Sequence, residues 1–235
     1  QLKDNYIKVL VGGPNESTES QLNRVVKTLT DPALGIPTTG TIVSPDQSIN
    51  SNQNTTETSI NSLFGRAGYS FKDRYFAEVN FRYDGSSVFA KENRWGFFPS
   101  ASAAWIVTDE IFMEGIRDRI GTLKLRASYG ILGNQNVRYA YQYQTTYFNY
   151  ANAYGFNNQV VAGAGFSLGN RALTWEKAAT FNFGIDATFL NRKLEVSLDY
   201  FNKTTRDILY ARSDVPQLFG AAFPDYNVAK VNNKG

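Results

Sequence analysis

The chain has 235 residues, with 24 Lys and Arg against 21 Asp and Glu, and it contains no Cys and no His. The missing residue types exclude disulfides, thiolate zinc sites, thiol nucleophiles and imidazole-based triads, and a net charge of +3 is too small for a nucleic-acid binder. Aromatic residues reach 14% while charged residues stop at 19%, against about 25% charged in an average globular chain, which favours exposed β structure over a cytosolic helical enzyme.

The first residue is Gln1 and no signal-peptide pattern follows it, so a start removed by processing or cutting is expected. Residues 1–10 read as a strand end. Residues 12–56 read as a long polar loop, punctuated by Gly12, Gly13, Pro14, Pro32, Pro37 and Pro45. Within it a short helix is expected over Glu19–Leu29, capped by Ser17 or Thr18. Loops of this length are uncommon in compact soluble domains.

Beyond it the period becomes two. A weak alternation runs over Leu63–Phe71. Then Tyr75, Ala77, Val79, Phe81 and Tyr83 alternate with Glu78, Asn80, Arg82 and Asp84, so one face is apolar and the other charged. A second weak run covers Phe97–Val107. The split returns at Leu123, Leu125, Ala127 and Tyr129 against Lys124, Arg126 and Ser128. It returns at Ala179, Phe181, Phe183, Ile185, Ala187 and Phe189 against Asn182 and Asp186, and again at Leu194, Val196, Leu198 and Tyr200 against Glu195 and Asp199.

The connections alternate in length. Phe71–Tyr75 and Leu190–Leu194 are tight polar turns, whereas Gly85–Arg94, Gly133–Leu173 and the stretch from about Ser213 are long. Thr108–Gly121 is intermediate, with Thr108 or Asp109 placed to cap a helical turn. Short turns at one end and long loops at the other suit an outer-membrane barrel. The amphipathic runs reach about 10 residues, the length a tilted strand needs to cross hydrocarbon, and no run of about 18 apolar residues offers a transmembrane helix. Aromatics gather at both ends: Tyr69, Phe71, Tyr75 and Phe189 by the tight turns, and Tyr83, Trp95, Phe97, Tyr129 and Tyr200 towards the loops. Two such levels form the girdles of a membrane barrel. A soluble β-sheet with an aromatic core is the competing reading.

A family resemblance rests on many short motifs in fixed order. They are Leu63-Phe64-Gly65-Arg66, Lys72-Asp73-Arg74-Tyr75, Arg82-Tyr83-Asp84-Gly85-Ser86-Ser87, Asn93-Arg94-Trp95-Gly96-Phe97-Phe98-Pro99-Ser100 and Ala104-Trp105. Further on come Leu123-Lys124-Leu125-Arg126-Ala127-Ser128-Tyr129-Gly130, Gly133-Asn134-Gln135, Leu168-Gly169-Asn170 and Leu173-Thr174-Trp175-Glu176. Asn182-Phe183-Gly184-Ile185-Asp186, Asp199-Tyr200-Phe201, Lys203-Thr204-Thr205-Arg206-Asp207 and the terminal Asn232-Asn233-Lys234-Gly235 complete the series. Over about residues 60–235 the chain closely resembles the SusC/RagA-type TonB-dependent outer-membrane transporters of Bacteroidota.

The resemblance implies an all-β fold, part of a transmembrane antiparallel up-and-down β-barrel of about 22 strands with long extracellular loops, short periplasmic turns and an N-terminal plug. Twenty-two strands of about 10 residues use roughly 220 before any turn or plug, so this chain is expected to be a segment of the wall. Residues 1–58 are expected as an extracellular loop region, and 59–235 as six strands with the start of a seventh near Asn227–Gly235. The plug and the TonB box are expected to lie outside the chain. The implied partners are a SusD-like surface lipoprotein, TonB, outer-membrane lipid and an oligosaccharide or peptide substrate, with no nucleic acid and no cofactor or metal.

In this reading Glu78, Asn80, Arg82, Asp84, Lys124, Arg126, Asn182, Asp186, Glu195 and Asp199 line the lumen, mostly as wall–plug and cross-strand pairs. Tyr69, Phe71, Tyr75, Tyr83, Trp95, Phe97, Trp105, Tyr129, Phe189 and Tyr200 mark the membrane interfaces. Tyr139, Tyr141 and Tyr143 are expected on one face of an extended chain and, with Tyr147, Tyr150 and Tyr154, are candidate substrate contacts, because aromatic faces suit sugars and peptides. The competing reading is that these tyrosines extend a strand above the membrane and pack the loop, or meet a partner. Gly163 and Gly165 lack the Lys-Ser/Thr of a phosphate loop, and the adjacent Asp109 and Glu110 make a poor acid/base pair. No catalytic constellation emerges, so an enzyme is not expected. The alternative function is a non-transporting surface protein, an adhesin or glycan-binding module.

Overall fold

The computed structural model describes residues 4–26, 50–117, 119–156, 159–190, 193–211 and 223–235; the side chains of 22–26, 50–54, 149–154, 156 and 160–161 are outside that description. The strands are β1 (Asn5–Gly12), β2 (Asn15–Val26), β3 (Asn50–Phe71), β4 (Tyr75–Ser86), β5 (Trp95–Ile106), β6 (Ile120–Asn134), β7 (Thr146–Phe156), β8 (Gln159–Ser167), β9 (Glu176–Phe189), β10 (Leu194–Ala211) and β11 (Asp225–Lys234). Two compact units are present, Ser17–Ser59 and the remainder.

In the smaller unit β2 pairs with β3, and the Ser17 hydroxyl lies 3.4 Å from Glu57 Oε1 as its donor. This corrects the expected loop over 12–56. Asn15–Val26 is a strand, not a loop with a helix from Glu19, and β3 begins at Asn50. The reason is physical: the Ser/Thr/Asn-rich segment has no apolar stripe to hold a helix on a core, whereas pairing satisfies its backbone in extended form. The part of the expected helix beyond Val26 lies outside the described residues.

In the larger unit every pairing is antiparallel, in the order β1-β3-β4-β5-β6-β9-β10-β11, with β7 and β8 forming a separate hairpin. The chain thus builds a meander, interrupted between β6 and β9 by a long connection. The three-residue β3–β4 loop, Lys72–Arg74, places Lys72 and Asp73 at φ 52° and 51°, the left-handed pair of a tight turn closed by the Arg74 N–H on Phe71 O at 3.1 Å. Among the described residues no helix is long and apolar enough to cross a membrane.

The alternation reads out inverted relative to a soluble sheet. Val79, Phe97 and Leu198 are 56%, 56% and 64% exposed, while Glu78, Asn80 and Asp186 on the opposite face are half-buried. The aromatic core that a soluble sheet requires is therefore absent from this face. The core lies instead at the loop end. Val88, Phe89, Phe98, Leu173 and Trp175 form one buried cluster, with Ile131, Val137, Ala140 and Leu209 packed around it. Phe98 fits only because Gly133 faces it: a Cβ there would lie 2.1 Å from the Phe98 ring.

Candidate functional site

The polar face of the sheet carries a set of cross-strand ion pairs. Arg126 on β6 reaches over β9, placing Nε 2.9 Å from Asp186 Oδ2 and Nη2 2.9 Å from Asp199 Oδ2 on β10. Ser197 donates to the same Asp186 carboxylate. The guanidinium passes close over Gly184, where a Cβ would sit 2.6 Å from Arg126 Cζ and 2.8 Å from Asp199 Oδ1. On the neighbouring strands Arg66 pairs with Glu78, which also accepts from Asn80 Nδ2 at 3.0 Å. Arg82 grips Asp84 with two bonds of 3.1 and 3.2 Å, and Asp84 is buried.

Lys124 stands opposite Asp186 in the β6–β9 register, and Asn182 opposite Ser128. The Asn182 Oδ1 is buried without a hydrogen-bond partner among the described residues. Glu195 stands opposite Thr188 beside the tight turn.

At the loop end, polar side chains bind the β6–β9 connection to β10 and β11. The buried Asp225 accepts from Arg138 Nη2 at 2.8 Å and from Gln142 Nε2 at 2.8 Å, and its own N–H donates to Gln142 Oε1 at 2.7 Å. Asn170 Nδ2 donates to the Asp225 carbonyl at 2.9 Å. Asn227 accepts from the Thr174 N–H at 2.9 Å and donates to Thr174 O and Asp207 O at 2.8 and 2.7 Å. Sequence reading misses this clasp, because its members lie up to 87 residues apart. Its one local signal is the spacing of Asp225 and Asn227, which puts both on one face of a strand.

The tyrosine expectation needs correcting. Residues 138–144 are turns and bends, not an extended chain, so Tyr139, Tyr141 and Tyr143 do not share a strand face. Tyr141 has φ 61°, and the Gln144 N–H closes the turn on Tyr141 O at 3.0 Å. The clasp on Arg138 and Gln142 holds the segment curled, which outweighs its alternating pattern. The Tyr141 and Tyr143 rings meet edge to face at 6.2 Å, and the Arg138 guanidinium covers the Tyr139 ring at 5.3 Å. Arg138, Tyr139, Tyr141, Gln142, Thr146 and Phe223 help to line a hollow of about 450 Å³. Tyr147, highly exposed on β7, stands opposite Phe166. Tyr150 and Tyr154 are also on β7, but their side chains lie outside the described residues.

The aromatics expected at the membrane interfaces make the following contacts. By the tight turn, Tyr75 stacks between Phe71 and Trp105 with centroids 6.2 Å apart in each pair, and Tyr69 donates to Asn5. Phe189 pairs with Leu194 beside the second tight turn. Towards the loops Tyr83 stacks on Trp95 at 4.9 Å. Phe97, Tyr129 and Tyr200, expected at the same level, do not share one hydrogen-bonded row. Tyr83 faces Phe97, whereas Tyr129 faces Ala101 and Tyr200 faces Phe183. These expected interface aromatics therefore step across the register from strand to strand.

Two carboxylates outside these strands are held in the charged form. The Tyr75 hydroxyl, followed by the Trp105 N–H, keeps the Glu110 carboxyl below the usual carboxylate range. The backbone N–H of Glu92, followed by the Arg171 guanidinium, does the same for Glu92.

A family profile described as "TonB dependent receptor-like, beta-barrel" matches residues 9–235. The chain belongs to this family. It is 38% identical over 189 residues to TonB-dependent receptor P39 of Formosa agariphila, covering 78% of the chain and 18% of that protein. It is 34% identical over 183 residues to TonB-dependent receptor SusC of Bacteroides thetaiotaomicron, covering 77% of the chain and again 18% of that protein. The chain thus spans about a fifth of the length of these relatives. Among solved structures, the RagAB peptide transporter superposes with a TM-score of 0.80 at 24% identity, over 99% of this chain and 25% of that one. The siderophore receptor PirA of Acinetobacter baumannii superposes less closely, with a TM-score of 0.54 at 16% identity over 98% of this chain and 31% of that one. This TonB-dependent receptor chain is a SusC/RagA-type barrel segment, and its family is one of outer-membrane proteins.

Proposed function

We propose that the chain forms wall and outer loops of a transporter that imports oligosaccharides or peptides across the outer membrane of a Gram-negative member of the Bacteroidota. The observation that carries this reading is the inverted sheet: an exposed apolar face backed by a face of paired charges. On the lipid side a lysine or arginine at mid-depth costs about 2–4 kcal/mol. The Arg126, Arg66 and Arg82 pairs therefore belong to the lumen, where they brace the wall and meet a polar plug. The plug and the TonB box belong to the rest of the parent protein, and a SusD-like lipoprotein would close the outer mouth over the loop platform. The curled tyrosine segment and its hollow sit at that mouth, offering aromatic surface with hydroxyl edges to sugar or peptide.

Deleting the parent gene should abolish growth on one class of oligosaccharide or peptide. Reintroducing it should restore growth only in cells with a working TonB. Restoration without TonB refutes energised import. Surface binding of a glycan with no change in uptake favours the adhesin reading instead.

A further inference from the structure

The connection between β5 and β6 consists of two 3₁₀ turns, Val107–Asp109 and Ile111–Ile116. Val107, Thr108 and Met113 are buried within it, yet Ile111 is 78% and Phe112 69% exposed. A lone exposed apolar side chain is ordinary. Two adjacent ones at the tip of a rigid turn are different, because the same turn buries Met113 and so had the means to hide them.

Their placement is fixed by the sheet. Trp105 lies on the apolar face, stacked on Tyr75, and receives the Phe112 ring edge-on at 6.4 Å. The exposed pair is therefore continuous with the apolar face and extends it past its last aromatic level. Glu110 sets the angle. Its carboxylate accepts from Tyr75 Oη and from Trp105 Nε1 at 3.1 Å, with Arg74 Nη1 at 3.6 Å. Its backbone N–H bonds Val107 O at 3.1 Å, and its carbonyl accepts the Met113 N–H at 3.0 Å. Arg117 pairs with Asp109, and Thr108 Oγ1 accepts the Leu123 N–H at 3.2 Å. By sequence the connection and the adjoining tight turn carry Asp73, Asp109, Glu110, Glu114 and Asp118 against Lys72, Arg74, Arg117 and Arg119, which nearly cancel, so an anionic surface gains little over a neutral one.

We propose that this connection is a membrane foot, which seats Ile111 and Phe112 in the headgroup–acyl boundary of the leaflet beside the tight turns. Its occupant is phospholipid, held by apolar contact and not by charge. The inference rests on the apolar face being the lipid face; it does not depend on import.

The test uses the full-length protein in vesicles of phosphatidylethanolamine and phosphatidylglycerol, with nitroxide labels on single cysteines at 79, 111, 112 and 114. The chain brings no cysteine of its own. Labels at 111 and 112 should collide several-fold more with oxygen, relative to a water-soluble nickel chelate, than the label at Glu114. The label at Val79 should be the most protected from nickel. Equal nickel access at 111, 112 and 114, with 79 still in lipid, overturns the foot alone. Nickel access at 79 as well overturns the lipid-facing reading with it. Labels at 111 and 112 that are shielded from both reagents overturn the foot in favour of a protein partner. Replacing phosphatidylglycerol with phosphatidylcholine should leave the oxygen-to-nickel ratio within about twofold; a collapse overturns the apolar mode of attachment.

Discussion

Trp175→Ala tests whether the loop end has a core of its own. Trp175 is buried, its ring meets Phe89 and Phe98 at 5.3 Å each, and its Nε1 donates to Arg94 O at 2.9 Å. Removing a buried tryptophan costs about 3–5 kcal/mol in transfer and cavity terms, and it takes one of two donors from the Arg94 carbonyl, which keeps the Ser86 N–H at 3.2 Å. Most cluster members come from loops, so the loss should fall on the loop platform and spare the β9–β10 ladder. At about 1.4 kcal/mol per decade, local opening should become roughly 10²- to 4 × 10³-fold more frequent. Hydrogen exchange on the full-length protein in lipid reads this directly. Amides of 86–94 and 168–175 should lose protection, while those of Ala178–Thr188 keep theirs. Trp175→Phe retains most of the apolar area and should cost only about 1 kcal/mol, for the lost hydrogen bond. Unchanged protection in the alanine variant, or equal loss in β9, would refute an independent loop core.

Three further outcomes are expected. Gly133→Ala should overpack the Phe98 ring and destabilise the same loop end by about 1–3 kcal/mol, and Phe98→Leu in the same chain should recover part of that loss in hydrogen exchange. Asp225→Ala removes the acceptor of Arg138 and Gln142, so limited proteolysis between residues 142 and 170 should accelerate at least tenfold, whereas cleavage elsewhere stays constant. Glu110 is depressed in the folded state, so its contribution is fully present above the ordinary glutamate pKa of about 4.3 and is lost as pH falls through the folded value. Hydrogen exchange in residues 107–117, corrected for intrinsic rate, should be flat from pH 8 to 5 and rise only below about pH 4; a rise between pH 8 and 6 contradicts the assignment.

The wall was legible from the sequence because its physics is local. A period of two over Tyr75–Tyr83 or Phe181–Phe189 fixes which side chains share a face, whatever lies on the next strand. The tight turns were legible for the same reason, since Lys72 and Asp73 sit between two alternating runs. Non-local pairing explains the failures. Asn15–Val26 has no alternation of its own and is a strand because β3 lies beside it. Tyr139, Tyr141 and Tyr143 have the alternation of a strand but are curled by Asp225, which lies more than 80 residues further along the chain. Trp175 stands in a family motif with no local sign of its role, and only the contacts with Phe89 and Phe98 show it packed in a core.

Strand length and membrane span also part company here. About 10 residues cross the hydrocarbon at a typical tilt, yet β10 runs for 18. The apolar face of β10 shows where the crossing ends. Leu194, Val196, Leu198 and Tyr200 are followed on the same face by Asn202 and Thr204, both of which accept hydrogen bonds from Asn232 Nδ2, at 2.9 and 2.7 Å. Exposed amides are costly against acyl chains even when they bond to each other, because each keeps unused donors or acceptors. On the proposed lipid-facing reading, their appearance just past Tyr200 puts the lipid boundary at that tyrosine and the rest of β10 above it. On that reading the boundary passes Tyr129 on β6 and Phe97 on β5, which lie on different hydrogen-bonded rows. A lipid-facing Asn202 would be the most expensive residue on the strand; an Asn202 above the boundary is neutral. Asn202→Leu should therefore leave barrel stability in lipid almost unchanged, while Leu198→Asn, two turns of the alternation below, should destabilise it markedly in urea titrations from vesicles. A large stabilisation by Asn202→Leu would place the boundary above that residue and break the inclined aromatic line.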